Sequence, residues 1–219
     1  METVFTFLKK LESNNNRDWF EKNKPNYLKA KEDFEIFVQE IINGIAKFDK
    51  KISPDTKAKD CTFRIYKDVR FSKDKTPYKN NMGASINPGG RKSPVPGYYF
   101  HVQPDSSFIA GGVWMPEAEV LNAIRQEIDY NSKPLLKILN SAAFKKYYKG
   151  LDDEGALKTA PKGYDKEHPL IDILRNRHFI VSHAFTNKQV LDKNSAKEII
   201  SGFKAMYPFL EYLREATAK

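Results

Sequence analysis

One cysteine, Cys61, stands among 219 residues. No disulfide can form within the chain, and a reducing compartment is the default setting for such a sequence. Long apolar runs are also missing. Nothing approaches the ~20 consecutive apolar residues of a membrane-spanning helix, and Met1-Glu2-Thr3-Val4-Phe5 lacks the basic start and apolar stretch of a signal peptide. The expectation is a soluble, cytoplasmic chain with no membrane partner. Histidine is scarce, with four in all. His178 and His183 fall five apart in an expected strand and so face opposite ways, while Pro169 follows His168. No Cys/His, HxxxH or HExxH spacing occurs, so no metal site and no cofactor is expected. Gly83 to Gly90 holds no P-loop, and no GxGxxG follows a strand. Cys61 itself alternates with Phe63 and Ile65, which reads as a buried structural thiol rather than a nucleophile.

What the chain does contain is aromatic surface and positive charge. Its 15 Phe and 11 Tyr are far more than a disordered chain carries. The 37 Lys and Arg against 28 Asp and Glu leave a formal +9 and a pI near 9.3, which favours anionic partners. The excess is concentrated: residues 64 to 103 hold eight cations and two acids, hence +6 of the +9.

Hydrophobic periodicity organises the rest. Val4, Phe7, Leu8 and Leu11 recur at helical spacing, and a turn from Arg17 to Lys22 presents Trp19 and Phe20. Pro25 suits a first helical turn, and Phe34, Phe37, Val38, Ile41, Ile42, Ile45 and Phe48 then trace an amphipathic helix. Period-two alternation predicts strands near 61–66, 98–103, 107–114 and 179–185, the middle two forming a hairpin around Pro104-Asp105-Ser106-Ser107. Asn87 to Gly97, rich in Pro and Gly, reads as a loop. Pro116 opens a helix with Val120, Leu121, Ile124 and Ile128 buried. Further helices are expected over Pro134–Tyr148 and Leu170–Arg175. Ser195 with Glu198 three residues on forms a capping box for the last one, in which Pro208 should introduce a kink. The predicted fold class is α+β: a single domain over 1–219, with N-terminal helices at 3–49, a β-rich centre at 60–115 and a helical part at 116–219 that holds one strand. Its sheet is mostly antiparallel.

The densest chemistry lies in Phe63 to Lys79. Arg64 projects from the expected 61–66 strand, with Tyr66 on the same face, while Arg70, Lys73, Lys75 and Lys79 follow in a turn able to wrap a ligand. Guanidinium forks and lysine point charges are the side chains that hold phosphate or carboxylate. Asp68 and Asp74 either orient those cations or transfer protons. His101, sharing a strand face with Tyr99, is a candidate base; neighbouring arginines would favour its neutral form. Gly111-Gly112 in the partner strand marks a bulge or a close approach to a ligand, and placed opposite His101 would leave a cavity. Tyr66, Tyr99, Gly111 and Gly112 are the expected pocket lining.

Three groups of residues carry a resemblance. The first is Phe63-Arg64-x-Tyr66-x-Asp68-x-Arg70-Phe71-Ser72-Lys73-Asp74-Lys75-Thr76-Pro77-Tyr78-Lys79. The second is Gly97-x-Tyr99-x-His101 followed by Gly111-Gly112-x-x-x-Pro116. The third, looser, is Pro161-Lys162-Gly163-Tyr164-Asp165-x-x-His168-Pro169. In these motifs the chain resembles domain of unknown function family 2461, with Lys67 where the family favours arginine. The resemblance implies a cytosolic single-domain protein and brings no agreed activity.

The functional expectation is therefore a site for a phosphorylated or carboxylated small molecule. Arg64, Arg70, Lys73, Lys75 and Lys79 would hold the anion, and His101, Asp68 and Asp74 would carry any proton transfer. The loops at 87–97 and 150–169 would close over it, the second bringing Tyr164 and His168. The alternatives are a nucleic-acid-binding module, with Tyr66, Phe71, Tyr78 and Tyr99 as stacking platforms, and a non-enzymatic domain whose basic face meets an acidic protein.

Overall fold

The computed structural model describes residues 1–218. Three helices open the chain: α1 (Glu2–Glu12), α2 (Arg17–Lys22) and α3 (Lys24–Ile45). Each forms for a local reason. In α1 the expected stripe of Val4, Phe7, Leu8 and Leu11 is buried. The Asn16 side chain accepts from Trp19 N and so starts α2. In α3, Pro25 sits in the first turn, and Phe34, Val38, Ile41, Ile42 and Ile45 are buried. Lysines on its outer side form local pairs, Lys29 with Asp33 and Lys31 with Glu35.

A short α4 (Ala58–Cys61) follows, and here the structure corrects the strand expected at 61–66. Cys61 ends a helix. Thr62 makes one antiparallel bridge to Ala84, and Phe63 N donates to Gly83 O. The chain then leaves the sheet edge and folds back on itself: Tyr66 bridges Tyr78, Lys67 N donates to Pro77 O, and Lys79 N donates to Ile65 O. The alternation is broken as well, because Cys61 and Ile65 are buried while Phe63 is 38% exposed. Residues 66–78 thus form an arm rather than a strand and turn within the sheet. The edge strand is instead β1 (Met82–Ile86), whose Met82, Ala84 and Ile86 are buried.

β2 (Gly97–Val102), β3 (Ser107–Val113) and β4 (Phe179–Phe185) complete one antiparallel sheet of order β1-β2-β3-β4. Between β2 and β3, Asp105 takes up a positive φ of 65° in the turn, a conformation that Asp tolerates better than most residues. Tyr98, Phe100 and Val102 of β2 point into the core with Ile109 and Val113 of β3. Tyr99 and His101 occupy the opposite face with Phe108, their neighbour across the hairpin.

The expected helix after Pro116 is α5 (Ala118–Tyr130), which buries Ile124 and Ile128 and also Arg125. Arg125 is satisfied by the carbonyls of Leu174 and Asn176. The helix expected over Pro134–Tyr148 is split into α6 (Ser132–Asn140) and α7 (Ala142–Lys145), because Ser141 leaves helical geometry to cap α7. Then come α8 (Ile171–Leu174), α9 (Asn187–Leu191) and α10 (Ser195–Thr217). The Ser195–Glu198 capping box does not form. The N-cap of α10 is Asn194, and Glu198 accepts from the Tyr147 hydroxyl at 2.9 Å. A capping box occurs instead at Thr186 and Gln189 of α9. The long α10 runs on through Pro208, which is exposed.

Helices α3 and α10 cover one face of the sheet. Gly111 makes that close: a Cβ there would lie 2.2 Å from Met206 Sδ of α10. A buried ionic knot pins the layers. Asp49 accepts from Tyr98 Oη and Arg214 Nη1, both at 2.9 Å, and Arg214 Nε donates to Pro96 O. The knot thereby fixes the C-terminal end of the 87–97 loop to α10. No helix among the described residues is long and apolar enough to cross a membrane.

Candidate functional site

The face of the sheet away from α3 and α10 carries two adjoining hollows. The smaller, about 360 Å³, is a basic cleft at the β1 edge, where Arg64, Lys67 and Lys79 meet Tyr99 and His101. Two of the expected cations, Arg64 and Lys79, therefore converge with the expected histidine, and Lys67 joins them. The fold-back of the arm is what brings them together, since Lys79 lies opposite Ile65 and its Nζ donates to Arg64 O at 3.1 Å. Arg91, from the 87–97 loop, joins them: its guanidinium lies 4.9 Å from the Phe63 ring centroid, and Lys79 Nζ lies 5.5 Å from it. The Lys79 ammonium is held below its usual pKa. Burial is the main cause, and the neighbouring guanidiniums of Arg64 and Arg91 add to it. No ion pair engages Arg64, Lys79 or Arg91 among the described residues.

The remaining cations of the segment lie elsewhere. Arg70 donates to Asp68 through both Nε (3.0 Å) and Nη2 (2.7 Å) on the exposed outer part of the arm. This fork draws the Asp68 carboxyl down to about 2. Lys75 Nζ donates to Val69 O, and Lys73 is exposed. Asp74 is engaged by Lys67 Nζ and by both Thr76 N and Oγ1, and Lys67 above all keeps its carboxyl well below the ordinary range. Neither aspartate lines the cleft, so the expected trio of His101, Asp68 and Asp74 is not assembled. Tyr66 is likewise outside, packed on Phe20 and Tyr78 and 47% exposed.

His101 is neutral by position. Tyr99 Oη donates to its Nδ1 at 3.0 Å, and its Nε2 donates to Gln103 Oε1 at 3.2 Å, while the ring stacks on Phe108. Burial lowers its pKa, and the Gln103 contact opposes that shift. The cause is therefore desolvation rather than the neighbouring arginines. With both nitrogens occupied, His101 is a fixed wall that becomes a proton carrier only if Gln103 lets go.

The larger hollow, about 950 Å³, shares Phe63 and Tyr99 with the basic cleft and extends over β2, β3 and β4. Small residues such as Ala110, Gly112, Ser182 and Ala184 form its floor, and the 87–97 loop walls one side. Gly111 and Gly112 do border it, but they lie opposite Tyr98 and Gly97; Phe108 is the residue opposite His101. Gly112 has a φ of +131°, and a Cβ there would lie 2.0 Å from Phe179 O. Strand packing, not a gap beside His101, demands glycine here. Asp152 and Glu154 come from the 150–169 segment, which does reach this hollow. Tyr164 and His168 do not arrive with it. His168 Nε2 lies 3.1 Å from Asp129 Oδ1 and its Nδ1 accepts from Leu170 N, tying the segment to α5.

Cys61 is buried, and its thiol is pushed up to about 11, chiefly by burial and secondarily by Asp60. It is the inert thiol its setting in the sequence suggested. No group of three or more His, Cys, Asp or Glu able to hold a metal is found among the described residues.

A family model described as Conserved hypothetical protein (DUF2461) matches residues 3–212. The chain belongs to this family. Searches of the curated proteins and of the solved structures gave no match. Within this DUF2461 chain the motif residues divide by role. Arg64 and Lys79 build the cleft, Asp68 and Asp74 fasten the arm, and Pro161–Pro169 anchors a loop against α5. Lys67 and Asn81, which line the cleft, Arg91 beside it, and Gln103, which holds His101, are the site residues that sequence reasoning did not single out. The only hint was the basic Arg91-Lys92 step inside a Pro/Gly loop.

Proposed function

We propose that the basic cleft binds an anionic group, phosphate or carboxylate, of a small molecule in a reducing, cytoplasmic setting. The observation that carries this reading is the meeting of Arg64, Lys79 and Arg91 around Phe63 with no carboxylate paired to them. Cations gathered in a concave, partly desolvated site repel one another until an anion arrives, so the bound state relieves stress that the free state bears. Tyr99 and His101 form the polar wall, and the anion is held by Arg64, Lys79 and Arg91 rather than by Lys67, which Asp74 engages, or by Arg70, Lys73 and Lys75. The buried thiol at Cys61 fits a reducing compartment.

The test is thermal denaturation with inorganic phosphate, pyrophosphate and citrate. A ligand at about a hundred times its Kd stabilises by about 2.7 kcal/mol. The expected result is stabilisation that Arg64→Ala or Lys79→Ala removes and that Lys73→Ala with Lys75→Ala leaves intact. Stabilisation indifferent to the first two changes would defeat the reading.

A second reading rests on the arm. Phe71 is 96% exposed beside Arg70, whose guanidinium lies 5.9 Å from its ring centroid. An exposed ring among cations suits stacking on single-stranded nucleic acid. Affinity for oligonucleotides would then fall steeply with salt and depend on Phe71, Lys73 and Lys75. Weak binding that is flat in salt would remove it.

A further inference from the structure

We propose that the basic cleft and the larger hollow are one site, and that its ligand is a short peptide with a free C-terminal carboxylate and a cationic N-terminal end. This rests on the anion-binding reading of the cleft and names the ligand class. Three observations carry it. The two hollows adjoin, because Phe63 and Tyr99 line both. The charges are separated: Arg64 and Lys79 lie at the β1 edge, while Asp152 and Glu154 border the larger hollow beside the start of β4, where Asp152 N donates to Ile180 O. Neither carboxylate makes an ion pair with a cation among the described residues; Asp152 Oδ1 accepts from Glu154 N. A ligand with one charge sign cannot satisfy both ends, whereas a dipolar one satisfies each.

The span sets the size. Strands in a sheet stand about 4.8 Å apart, so crossing from β1 to β4 covers roughly 14 Å. An extended chain advances about 3.3 Å per residue, which makes the ligand about four or five residues long. The floor between the ends suits a peptide better than a nucleotide. Ala110, Gly112 and Ala184 leave room for a backbone to lie close to the sheet, and the Ser182 hydroxyl on the exposed β4 surface faces it. The aromatic rings at the basic end are already occupied. Phe63 has cations against it, and Tyr99 packs on Phe63, His101 and Phe108. No free ring there offers itself to a base. Capture of a terminal carboxylate by a cationic nest with side-chain recognition further along is a known mode of peptide binding.

The experiment is isothermal titration calorimetry of the whole chain with Lys-Ala-Ala-Ala-Ala as the free acid. Its C-terminal amide, the acetylated all-alanine free acid, acetate, ADP and inorganic phosphate are the comparisons. Removing either terminal charge should weaken binding about tenfold, as expected for losing one partly desolvated charge contact. Glu154→Gln should erase the preference for lysine over acetyl-alanine. Ser182→Trp, on an exposed position, should weaken the peptide about tenfold and leave phosphate binding unchanged. Peptide binding no tighter than acetate, or indifferent to both Glu154→Gln and Ser182→Trp, would overturn the proposal. If phosphate then still binds through Arg64, the anion-site reading survives it; if phosphate fails as well, both fall. ADP binding more tightly than any peptide would also overturn the peptide assignment. The ligand-side changes need no variant to fold.

Discussion

Tyr99 and His101 share the open face of β2, and the tyrosine hydroxyl donates to Nδ1 of the imidazole across 3.0 Å. The bond favours the neutral ring, which burial already favours. Tyr99→Phe should therefore raise the His101 pKa toward ~6.5, the value of an unperturbed imidazole, and cost about 0.5–1.5 kcal/mol of stability. A histidine NMR titration of both proteins measures the shift. A lower or unchanged His101 pKa in the variant would show that the hydroxyl does not hold the tautomer.

The same histidine makes stability depend on pH. Its folded pKa is depressed, so the unfolded chain takes up the proton first as pH falls. The contribution is complete above the unfolded value of about 6.5 and is lost as the pH drops from there through the folded value. Urea unfolding from pH 8 to 5 should show this decline. His101→Gln, which cannot titrate, should flatten part of it.

The Asp49–Arg214 pair ties α10 to the segment after α3 and, through Tyr98 and Pro96, to the start of β2. Both side chains are essentially excluded from solvent, 0% and 2% exposed. Removing one member of such a pair leaves a buried charge uncompensated, which costs about 3–5 kcal/mol. Asp49→Ala should fall at the low end of that range, because Glu211 Oε1 still accepts from Arg214 Nη1 at 2.8 Å. Tyr98→Phe, which removes only a neutral donor, should cost about 1 kcal/mol. Because Arg214 also holds Pro96, limited proteolysis of the Asp49 variant should cut first within 87–97.

Gly112→Ala adds a Cβ at a positive φ and 2.0 Å from a backbone oxygen of β4. Strand β4 must move for the side chain to fit. A loss of about 2–4 kcal/mol is expected, in the range of overpacking and backbone strain combined. Chemical denaturation measures it. Gly163→Ala, also at a positive φ but with nothing near the added carbon, should cost far less.

Cys61 should resist alkylation. With its pKa raised to about 11 by burial, almost no thiolate exists near pH 8. Iodoacetamide should react at a rate set by local unfolding and speed up sharply in denaturant. Rapid modification of the folded chain would contradict the buried placement.

Local patterns made most of the architecture legible. The stripes of α1, α3 and α5 and the alternation of β2 are short-range properties, and folding kept them with exceptions: Phe37, Val120 and Leu121 are half-buried, and Phe48 lies beyond the end of α3. The 61–66 strand failed because alternation was read where two other demands met. Cys61 and Ile65 reach the core from a helix end and from the root of an arm, without a continuous ladder between them. Strand β1 escaped notice because Gly83, Ala84 and Ser85 carry little strand propensity; its pairing with β2 supplies what propensity does not. At the site, Arg64, Lys79, Tyr99 and His101 were identified correctly as neighbours. The division of the other cations was not visible, since Asp68 and Asp74 engage Arg70 and Lys67 through turns whose shape depends on the folded arm. Asp105, Asp152 and Glu154 were out of reach because loops far apart in sequence deliver them to one hollow.

The convergence of Arg64, Lys79 and Arg91 on an anion is the central claim, and NMR titration with inorganic phosphate tests it most directly. Side-chain resonances of Arg64, Lys79 and Arg91 and the ring of His101 should shift together with one Kd. Arg91→Ala should weaken that Kd about tenfold, the loss expected for one partly desolvated charge contact. Shifts confined to Arg70, Lys73 and Lys75 on the arm, or none at any of these residues, would contradict it.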